Sequence, residues 1–353
     1  GGTPSKKNPD YWNGTIPWIS AKTMKDERVS TSDLMITEEG LASGSKLAPI
    51  GSLLLLTRGS GLFNGIPLCI VEKPVAFNQD VKCIESCNDV SSKFIFYWLK
   101  SQEEYLRAKL EVTGIGAGKF DTKFLQELNV PIPCKEERDK IVSIAESISK
   151  KIIINTKIND NLQQQAQAIY ASMFIIKADP TWTQGHLSDL ITVKYGKDHK
   201  KLADGVYLVF GSGGIMRYVE RPLYTGESVL IPRKGTLNNV MYVNEPFWSV
   251  DTMFFTEMKV PNVAKFVFHF VKAKDLASMN AGSAVPSMTT DILNALELAI
   301  PPADRLAEFE SAVTPMYQMM QANSRESAKL AELRDTLLPK LMTGEVDVSS
   351  IQF

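Results

Sequence analysis

The stretch TGIGAGKF, Thr113 to Phe120, contains the residue types that a phosphate-binding loop uses. Such loops follow the pattern GxxxxGK and then Ser or Thr, because the glycine backbone surrounds the phosphates and the hydroxyl binds magnesium. Gly118 and Lys119 match the central pair, but Thr113 replaces the first glycine and Phe120 replaces the hydroxyl residue. Both ends of the pattern fail, so the sequence argues against a nucleotide site in this loop.

Two other short patterns could indicate catalysis. NPDY, Asn8 to Tyr11, resembles the Asn-Pro-Pro-Tyr loop of DNA amino-methyltransferases, but Asp10 replaces one proline. Asp80-Val81-Lys82 could serve a metal-assisted nuclease, yet its apparent repeat partner Asp251-Thr252-Met253 has no lysine. The three histidines all lie in the second half of the chain, whereas a duplicated active site would show them in both. A nuclease or methyltransferase acting alone is therefore the weaker alternative.

Composition indicates an ordinary globular protein of about two domains, with 353 residues, 44% hydrophobic and 22% charged. A net charge of −1 excludes a uniformly basic protein but permits local basic patches. The four cysteines have no paired metal-ligand spacing, so we expect reduced thiols and no metal site. The opening is polar and no apolar run reaches the roughly 18 residues of a membrane span, which predicts a cytoplasmic protein.

The chain repeats itself at a shift of about 168 positions, which aligns Gly114 with Gly282 and Ile132-Pro133 with Ile300-Pro301. After each Ile-Pro pair, a long stretch almost free of glycine predicts a single long helix, residues 136–174 and 304–342. Pro315 is expected to interrupt the second helix about three turns in and to kink it there. Each helix would be roughly 58 Å long at about 1.5 Å per residue, the length of a spacer between two domains.

The second helix has heptad spacing, and the same spacing survives the 168-residue shift into the first helix. Its polar gap also survives, since Asn155 aligns with Asn323, and a buried Asn fixes the register of a coiled coil at a cost in stability. We therefore predict that the two helices pair with each other; two ordinary surface helices are the alternative. The residues expected in this pairing are Asn155, Asn323, Ile148, Met316, Leu162 and Leu330.

The globular halves match more loosely. SLLLLTRGSG parallels SVLIPRKGT, in each case an apolar strand followed by a basic residue and a glycine, and KFIFYWL parallels KFVFHFV, in each case a short buried helix. The predicted fold is α+β, a duplicated domain with two long, antiparallel coiled-coil helices between the copies. Because the second copy opens with a strand-forming lead, Trp182 to Gly196, we expect an equivalent lead of about a dozen residues to be missing before Gly1. The predicted parts are domain 1 (1–135), helix 1 (136–178), domain 2 (182–302), helix 2 (303–345) and a tail (346–353).

Several of these motifs together carry a family resemblance. The opening GGTPSKKNPDYWNGTIPWIS, the junction GIGAGKF…NVPIPCKEERDKIV, the helix end AQAIYASMF and the tail LRDTLLPKLMTGEVDV resemble the specificity subunit of type I restriction-modification systems. The resemblance covers essentially the whole chain, twice and in order. One departure is the second junction, IPPADRLAEF, which lacks the acidic pair Glu136-Glu137 of the first.

The resemblance implies a DNA-reading scaffold without catalytic residues. In that family, two target-recognition domains each read half of a split double-stranded DNA target, and whole-heptad changes in helix length should change the gap between the halves. The resemblance further implies that DNA adenine methyltransferase subunits and a motor-nuclease restriction subunit bind the chain. Adenosylmethionine, ATP and magnesium would then be on those partners, with no cofactor here. A coiled-coil adaptor without a DNA role is the remaining alternative, and salt-sensitive DNA binding would separate the two.

Candidate DNA contacts are cations and polar side chains in loops that follow strands, because phosphates need cations and backbone N–H groups while bases need planar donors. Arg58 follows a buried strand and precedes Gly59, and Arg233 is interpreted as its repeat. Trp12, Trp18 and Trp248 are expected in the core instead of against bases. The full candidate set is Lys22, Thr23, Arg58, Ser60, Lys119, Lys197, Lys200, Lys201, Arg233, Lys234 and Asn238.

Overall fold

The computed structural model describes residues 1–114, 116–279 and 287–348. The chain divides into two compact units: unit 1 is Gly1–Asn155 with Ser324–Phe353, and unit 2 is Thr156–Asn323. Most of the loop AGSAVPSM and the end of the predicted tail lie outside the described residues, as does Ile115 in the TGIGAGKF loop. Each unit combines small sheets and short helices with part of both long helices.

Unit 1 contains three small sheets, with strand orders β3-β1-β8-β4, β2-β7-β5-β9 and β10-β11-β6 in the following numbering. Its strands are β1 (Trp12–Ile19), β2 (Arg28–Val29), β3 (Met35–Ile36), β4 (Lys46–Ala48), β5 (Leu53–Leu56), β6 (Arg58–Gly59), β7 (Leu68–Val71), β8 (Val75–Phe77), β9 (Val81–Ile84), β10 (Glu111–Val112) and β11 (Gly118–Lys119). Its short helices are α1 (Glu38–Ala42), α2 (Ser92–Ser101), α3 (Glu103–Ala108) and α4 (Thr122–Gln126).

Unit 2 has the sheet orders β13-β19-β16-β17, β15-β14-β18 and β12-β20. Its strands are β12 (Thr183–His186), β13 (Ile191–Tyr195), β14 (Tyr207–Gly211), β15 (Gly214–Val219), β16 (Ser228–Pro232), β17 (Met241–Val243), β18 (Phe247–Ser249), β19 (Met253–Met258) and β20 (Glu297–Ile300). Its short helices are α6 (Leu187–Leu190), α7 (Ala264–Lys272) and α8 (Thr290–Asn294).

The two units repeat one architecture. Each unit has one sheet with a parallel strand pair and another sheet with a central apolar strand. These are β1–β8 and β5 in unit 1, and β14–β18 and β16 in unit 2. The N–H of Asn78 donates to the Ile19 carbonyl at 3.0 Å, and the N–H of Val250 donates to the Phe210 carbonyl at the same distance. The mixed α+β fold with an internal duplication is therefore confirmed.

The long helices are α5 (Lys135–Ala171), which continues as one π-helical turn over Ser172–Ile176, and α9 (Ala303–Met342). They agree with the predicted helices to within a few residues. The expected interruption at Pro315 is wrong, because α9 runs through it continuously. Proline removes one helical N–H donor, but Ser311, which loses that donor, is exposed and its carbonyl can bond to water.

Both helices contribute to each unit, and in each they are antiparallel. In unit 1 the amide of Asn155 donates to Ser327 Oγ at 3.2 Å, and Ile141 belongs to the same core cluster as Leu341. In unit 2 the amide of Asn323 donates to Asn159 Oδ1 at 2.9 Å. Later residues of α5 thus meet earlier residues of α9 in both cases. The other predicted pairing residues are half-buried: Ile148, Leu162, Met316 and Leu330.

A buried ionic cluster fixes α7 against α9 in unit 2. The Lys265 side chain is 3% exposed, and its ammonium lies 3.0 Å from Glu227 Oε1 and contacts Glu310 Oε1. The same ammonium lies over the rings of Tyr242 and Tyr317, at 5.1 and 5.6 Å from their centroids. A buried ammonium needs such partners because its desolvation is costly.

The equivalent cluster in unit 1 is more open to solvent. Lys93, at the matching place in α2, donates to Glu146 Oε2 at 2.9 Å, but its side chain is 45% exposed. Glu146 also accepts hydrogen bonds from Arg28 at 2.6 Å and from the Tyr97 hydroxyl at 3.0 Å. Burial opposes ionisation of Glu146, but its hydrogen bonds and the nearby cations outweigh that effect and lower its pKa.

Candidate nucleic-acid interface

In unit 1 the segments that follow β1, β5 and β8, together with the segment around β11, meet at one end, which we name loop end 1 (residues 20–23, 57–60, 78–80 and 118–120). Thr57 joins three of them, since its N–H donates to the Asp80 carbonyl at 2.8 Å and its carbonyl accepts from the Phe120 N–H at 2.9 Å. A methyl group placed on Gly59 would lie 3.8 Å from the Ala21 side chain, so the fourth loop packs beside β6. The strand order thus gathers loops that are far apart in sequence.

Loop end 1 brings two of the unit 1 candidates together. Arg58 of β6 and Lys119 of β11 are direct cross-strand partners, and both side chains are exposed. On its other side, Lys119 pairs with Glu111 of β10. Neighbouring cations on a strand pair repel each other weakly unless an anion lies between them, so the pair suits a phosphate.

The remaining unit 1 candidates surround this pair. Lys22 and Ser60 are exposed in adjacent loops. Thr23, by contrast, is used within its own turn: its hydroxyl accepts from the Ser20 N–H at 2.9 Å and donates to the Ser20 carbonyl at 3.1 Å. Trp18 is 4% exposed and Trp248 6% exposed, so both are core residues as expected; Trp12 is half-buried against Trp18.

Unit 2 presents a corresponding end, loop end 2 (residues 197–201, 211–216, 233–239, 250–252 and 287). The Arg233 N–H donates to the Thr252 carbonyl at 2.8 Å, and the Arg233 carbonyl accepts from the Met288 N–H at 2.8 Å. These are the bonds that Thr57 makes in unit 1. The interpretation of Arg233 as the repeat of Arg58 is therefore wrong by one residue, and Lys234 occupies the place of Arg58. The glycine after each, Gly59 or Gly235, has positive φ.

The same strand register also corrects the predicted alignment of Asp80 with Asp251. Lys82 pairs with Leu55 in β5, and Phe254 pairs with Ile231 in β16. Asp80 consequently matches Thr252, not Asp251, so the second copy has no carboxylate at this place. Asp80 and Asp251 both lie in turns between strands. The Asp80 carboxylate accepts from the Asn78 amide at 3.3 Å, a local role in the turn.

The unit 2 candidates differ in how far their side chains are already engaged. Arg233 lies over the Tyr195 ring at 5.4 Å and donates to the Asp251 carbonyl at 3.2 Å. Asn238 donates to Asp275 Oδ1 at 3.1 Å and accepts from the Ala277 N–H at 3.0 Å, so it braces a loop. The candidate lysines Lys197, Lys200, Lys201 and Lys234 are all exposed.

The candidate cations of the two loop ends are not already paired with acidic side chains. Within residues 1–114, 116–279 and 287–348, the candidate cations take part in no ion pair with a carboxylate. Several cations elsewhere do contact Glu or Asp: Arg28, Lys93, Lys100, Arg334 and Lys265. The backbone N–H of Lys200 donates to the Asp198 carboxylate, and this hydrogen bond lowers the pKa of that carboxyl. Cations without a carboxylate partner are available to phosphates.

We expect replacement of Arg58 and Lys119 by Ala to weaken DNA binding and to reduce its salt dependence. Each lost phosphate contact removes about 0.9 from the slope of log K against log salt, so the double variant should lose nearly 2. Binding isotherms of the assembled complex from about 50 to 200 mM salt measure this slope. Lys73→Ala is the control, because Lys73 is exposed in the β7–β8 turn, at the opposite end of β8. An unchanged slope in the double variant would contradict the assignment.

Tyr195 is a candidate that the sequence did not reveal. It is 53% exposed at the end of β13 and stacks under Arg233. The sequence shows an aromatic residue at the end of a strand, but it does not show the strand pairing that brings this residue beside Arg233.

No cluster of three or more His, Cys, Asp or Glu in the described ranges is placed to hold a metal ion. Nor does any helix there have the length and apolar character needed to cross a membrane.

Comparison with known proteins identifies the family. The type I restriction modification DNA specificity domain matches residues 1–164 and 180–308. The specificity subunit of the type I restriction enzyme MjaIX from Methanocaldococcus jannaschii is 24% identical, across 99% of this chain and 91% of that protein. The EcoR124I/EcoR124II specificity subunit from Escherichia coli is 34% identical across 47% of this chain and 41% of that subunit.

A solved structure agrees at the level of the fold. The chain is similar to the crystal structure of a type I restriction-modification S subunit from M. genitalium. The match covers 97% of this chain and 92% of that subunit, with a TM-score of 0.55 and 17% sequence identity. Together with the doubled family match, this confirms the resemblance read from the motifs. The chain belongs to the type I restriction-modification DNA specificity family, as a specificity subunit with two recognition domains and not a catalytic subunit.

Proposed function

We propose that this chain reads a split double-stranded DNA target, one half with each recognition domain (1–135 and 182–302). The observation that carries the proposal is the pair of loop ends. In both units the end of the central apolar strand presents a cation, Arg58 after β5 and Lys234 after β16, that has no carboxylate partner among the described residues. Such cations supply phosphate contacts, while the adjacent loops reach the base edges.

The long helices (136–178 and 303–345) would hold the two domains to one target and form a surface for other subunits. Asn155 and Asn323, whose amides bond across the helix pair, would fix its register. We propose that DNA adenine methyltransferase subunits and a restriction subunit bind this chain and supply all catalysis, in the cytoplasm. Adenosylmethionine, ATP and magnesium would accordingly bind to those subunits.

A methylation map tests this function. The chain is expressed together with the methyltransferase subunit of its own system, in a host without adenine methylation, and the modified bases are sequenced. We expect a split motif with a fixed gap, present only when both proteins are made. Methylation by the partner alone would remove this chain from target choice. Absence of methylation from a pair shown to assemble would favour an adaptor without DNA specificity.

A further inference from the structure

The β14–β15 hairpin of unit 2 has an irregular tip. Its register pairs Gly211 with Gly214 and Phe210 with Ile215, but Val209 with Arg217. Met216 is therefore the extra residue of a β-bulge, placed directly after the glycine-rich turn. Bulges of this kind redirect side chains and occur often beside functional sites.

The tip exposes apolar side chains. Ile215 is 61% exposed and Met216 is 56% exposed, although the facing strand is anchored in the core through Val209 (0%) and Phe210 (6%). In a regular strand, consecutive side chains alternate between the two faces, but here the bulge leaves both exposed. Two adjacent exposed apolar residues on a firmly anchored hairpin indicate a contact surface.

The hairpin tip is part of loop end 2. The Asn239 amide donates to the Ser212 carbonyl at 2.9 Å, which ties the turn to the loop that carries Arg233 and Lys234. Met216 also lines a cavity of about 580 Å³ between the hairpin turn, the β18–β19 turn and the loop that carries Lys200 (residues 197–201). Its other lining residues include Lys200, Ser212, Asp251 and Thr252. The apolar tip is thus surrounded by cations and hydroxyls, with Asp198 and Asp251 as the acidic groups.

We propose that Ile215 and Met216 contact base edges in a groove of the DNA and contribute to base choice in the half-site read by unit 2. This inference rests on the proposed function. Apolar side chains contact thymine methyl groups in the major groove, or pack against base steps in the minor groove. Cations without carboxylate partners beside the apolar tip favour DNA as the occupant, because they can contact phosphates while the tip reaches the base edges.

The test uses the assembled complex of this chain with its methyltransferase subunit, on a duplex that carries the mapped target. We expect Ile215→Ser and Met216→Ser each to bind about tenfold more weakly, the size of one lost base contact. Since no charge is removed, the salt slope should stay that of the parent. Val206→Ser is the matched control: Val206 is 78% exposed and directly precedes β14, at the far end of the same hairpin.

A second readout separates base choice from general affinity. Duplexes with a randomised second half-site are selected by binding and sequenced, and the Ile215→Ser complex should show relaxed base preference in that half only. Parent-like binding and preference in both variants would overturn the proposal. So would loss of the methyltransferase subunit from a variant complex, which would make the tip a protein-docking surface. If the parent complex itself does not prefer its target over a scrambled duplex, the proposed function fails and not merely this contact.

Discussion

Replacing Lys265 with Met is expected to lower the free energy of unfolding of unit 2 by about 3–5 kcal/mol, the usual cost of breaking a buried ion pair. The substitution leaves Glu310, whose side chain is 19% exposed, and Glu227 without their shared cation. It also removes the contact of the ammonium with the Tyr242 and Tyr317 rings. Because Met has a volume similar to that of Lys, the loss of stability reflects the missing charge more than a loss of packing. Urea unfolding followed by hydrogen exchange of α7 peptides measures it.

Lys93→Met is the matched control, because Lys93 holds the same position in α2 of unit 1. Its side chain is 45% exposed, and Glu146 keeps Arg28 and Tyr97 as partners, so we expect a loss of at most about 1 kcal/mol. Adding Glu310→Gln to Lys265→Met should restore part of the lost stability, since the amide carries no charge. Equal losses for Lys265→Met and Lys93→Met would show that burial of the pair does not determine its strength.

The long helices and the duplication were predictable because each depends on a pattern carried by many residues. The absence of glycine and the heptad spacing extend over ten turns, so single exceptions such as Pro315 do not hide them. The helices around KFIFYWL and KFVFHFV were predictable for a similar reason, since runs of aromatic residues must be buried. In both cases local sequence and packing require the same structure.

Register could not be predicted with the same accuracy. Matching Arg58 to Arg233 aligned basic residues, whereas the backbone aligns Thr57 with Arg233. A one-residue shift reverses which face a side chain occupies, and only the ladder of backbone hydrogen bonds fixes it. Loops that differ in length between the two copies remove that information from the sequence.

The candidate interface was predictable as a set of residues but not as a surface. Arg58 and Lys119 are cross-strand neighbours only because β11 pairs with β6, a contact between distant parts of the chain. Asn238 was chosen as a polar loop residue, and only the structure shows that its amide braces a loop. The bulge at Met216 has no signature in the stretch GSGGIMRYV beyond its glycines.

The stability of unit 2 is expected to fall by about 3 kcal/mol as the pH decreases from 7 to 4, through a single histidine. His269 is 1% exposed in α7, and burial, with a smaller effect of Lys272, lowers its pKa from 6.5 to about 4. The neutral ring fits its site, because Nδ1 lies 2.7 Å from Gln167 Oε1 and Nε2 lies 2.9 Å from the Tyr317 hydroxyl. With Nδ1 as donor and Nε2 as acceptor, both nitrogens are satisfied without a charge.

The sign of the effect follows from where the proton binds. Between pH 6.5 and about 4 the unfolded chain protonates His269 while the folded unit does not, so acid favours unfolding. Stability is fully present above the unfolded pKa and is lost through this window. His269→Gln cannot titrate and can still bond to Tyr317, so its stability should vary less with pH even if it is lower at pH 7. Exposed His186→Gln is the control, and urea unfolding at pH 7, 6, 5 and 4.5, resolved by hydrogen exchange of α7, measures both. A pH dependence unchanged in His269→Gln would assign the acid sensitivity to carboxylates of unit 2 such as Glu227. Burial opposes ionisation of Glu227, but hydrogen bonds from the Tyr242 hydroxyl and the Lys265 ammonium outweigh it and lower its pKa.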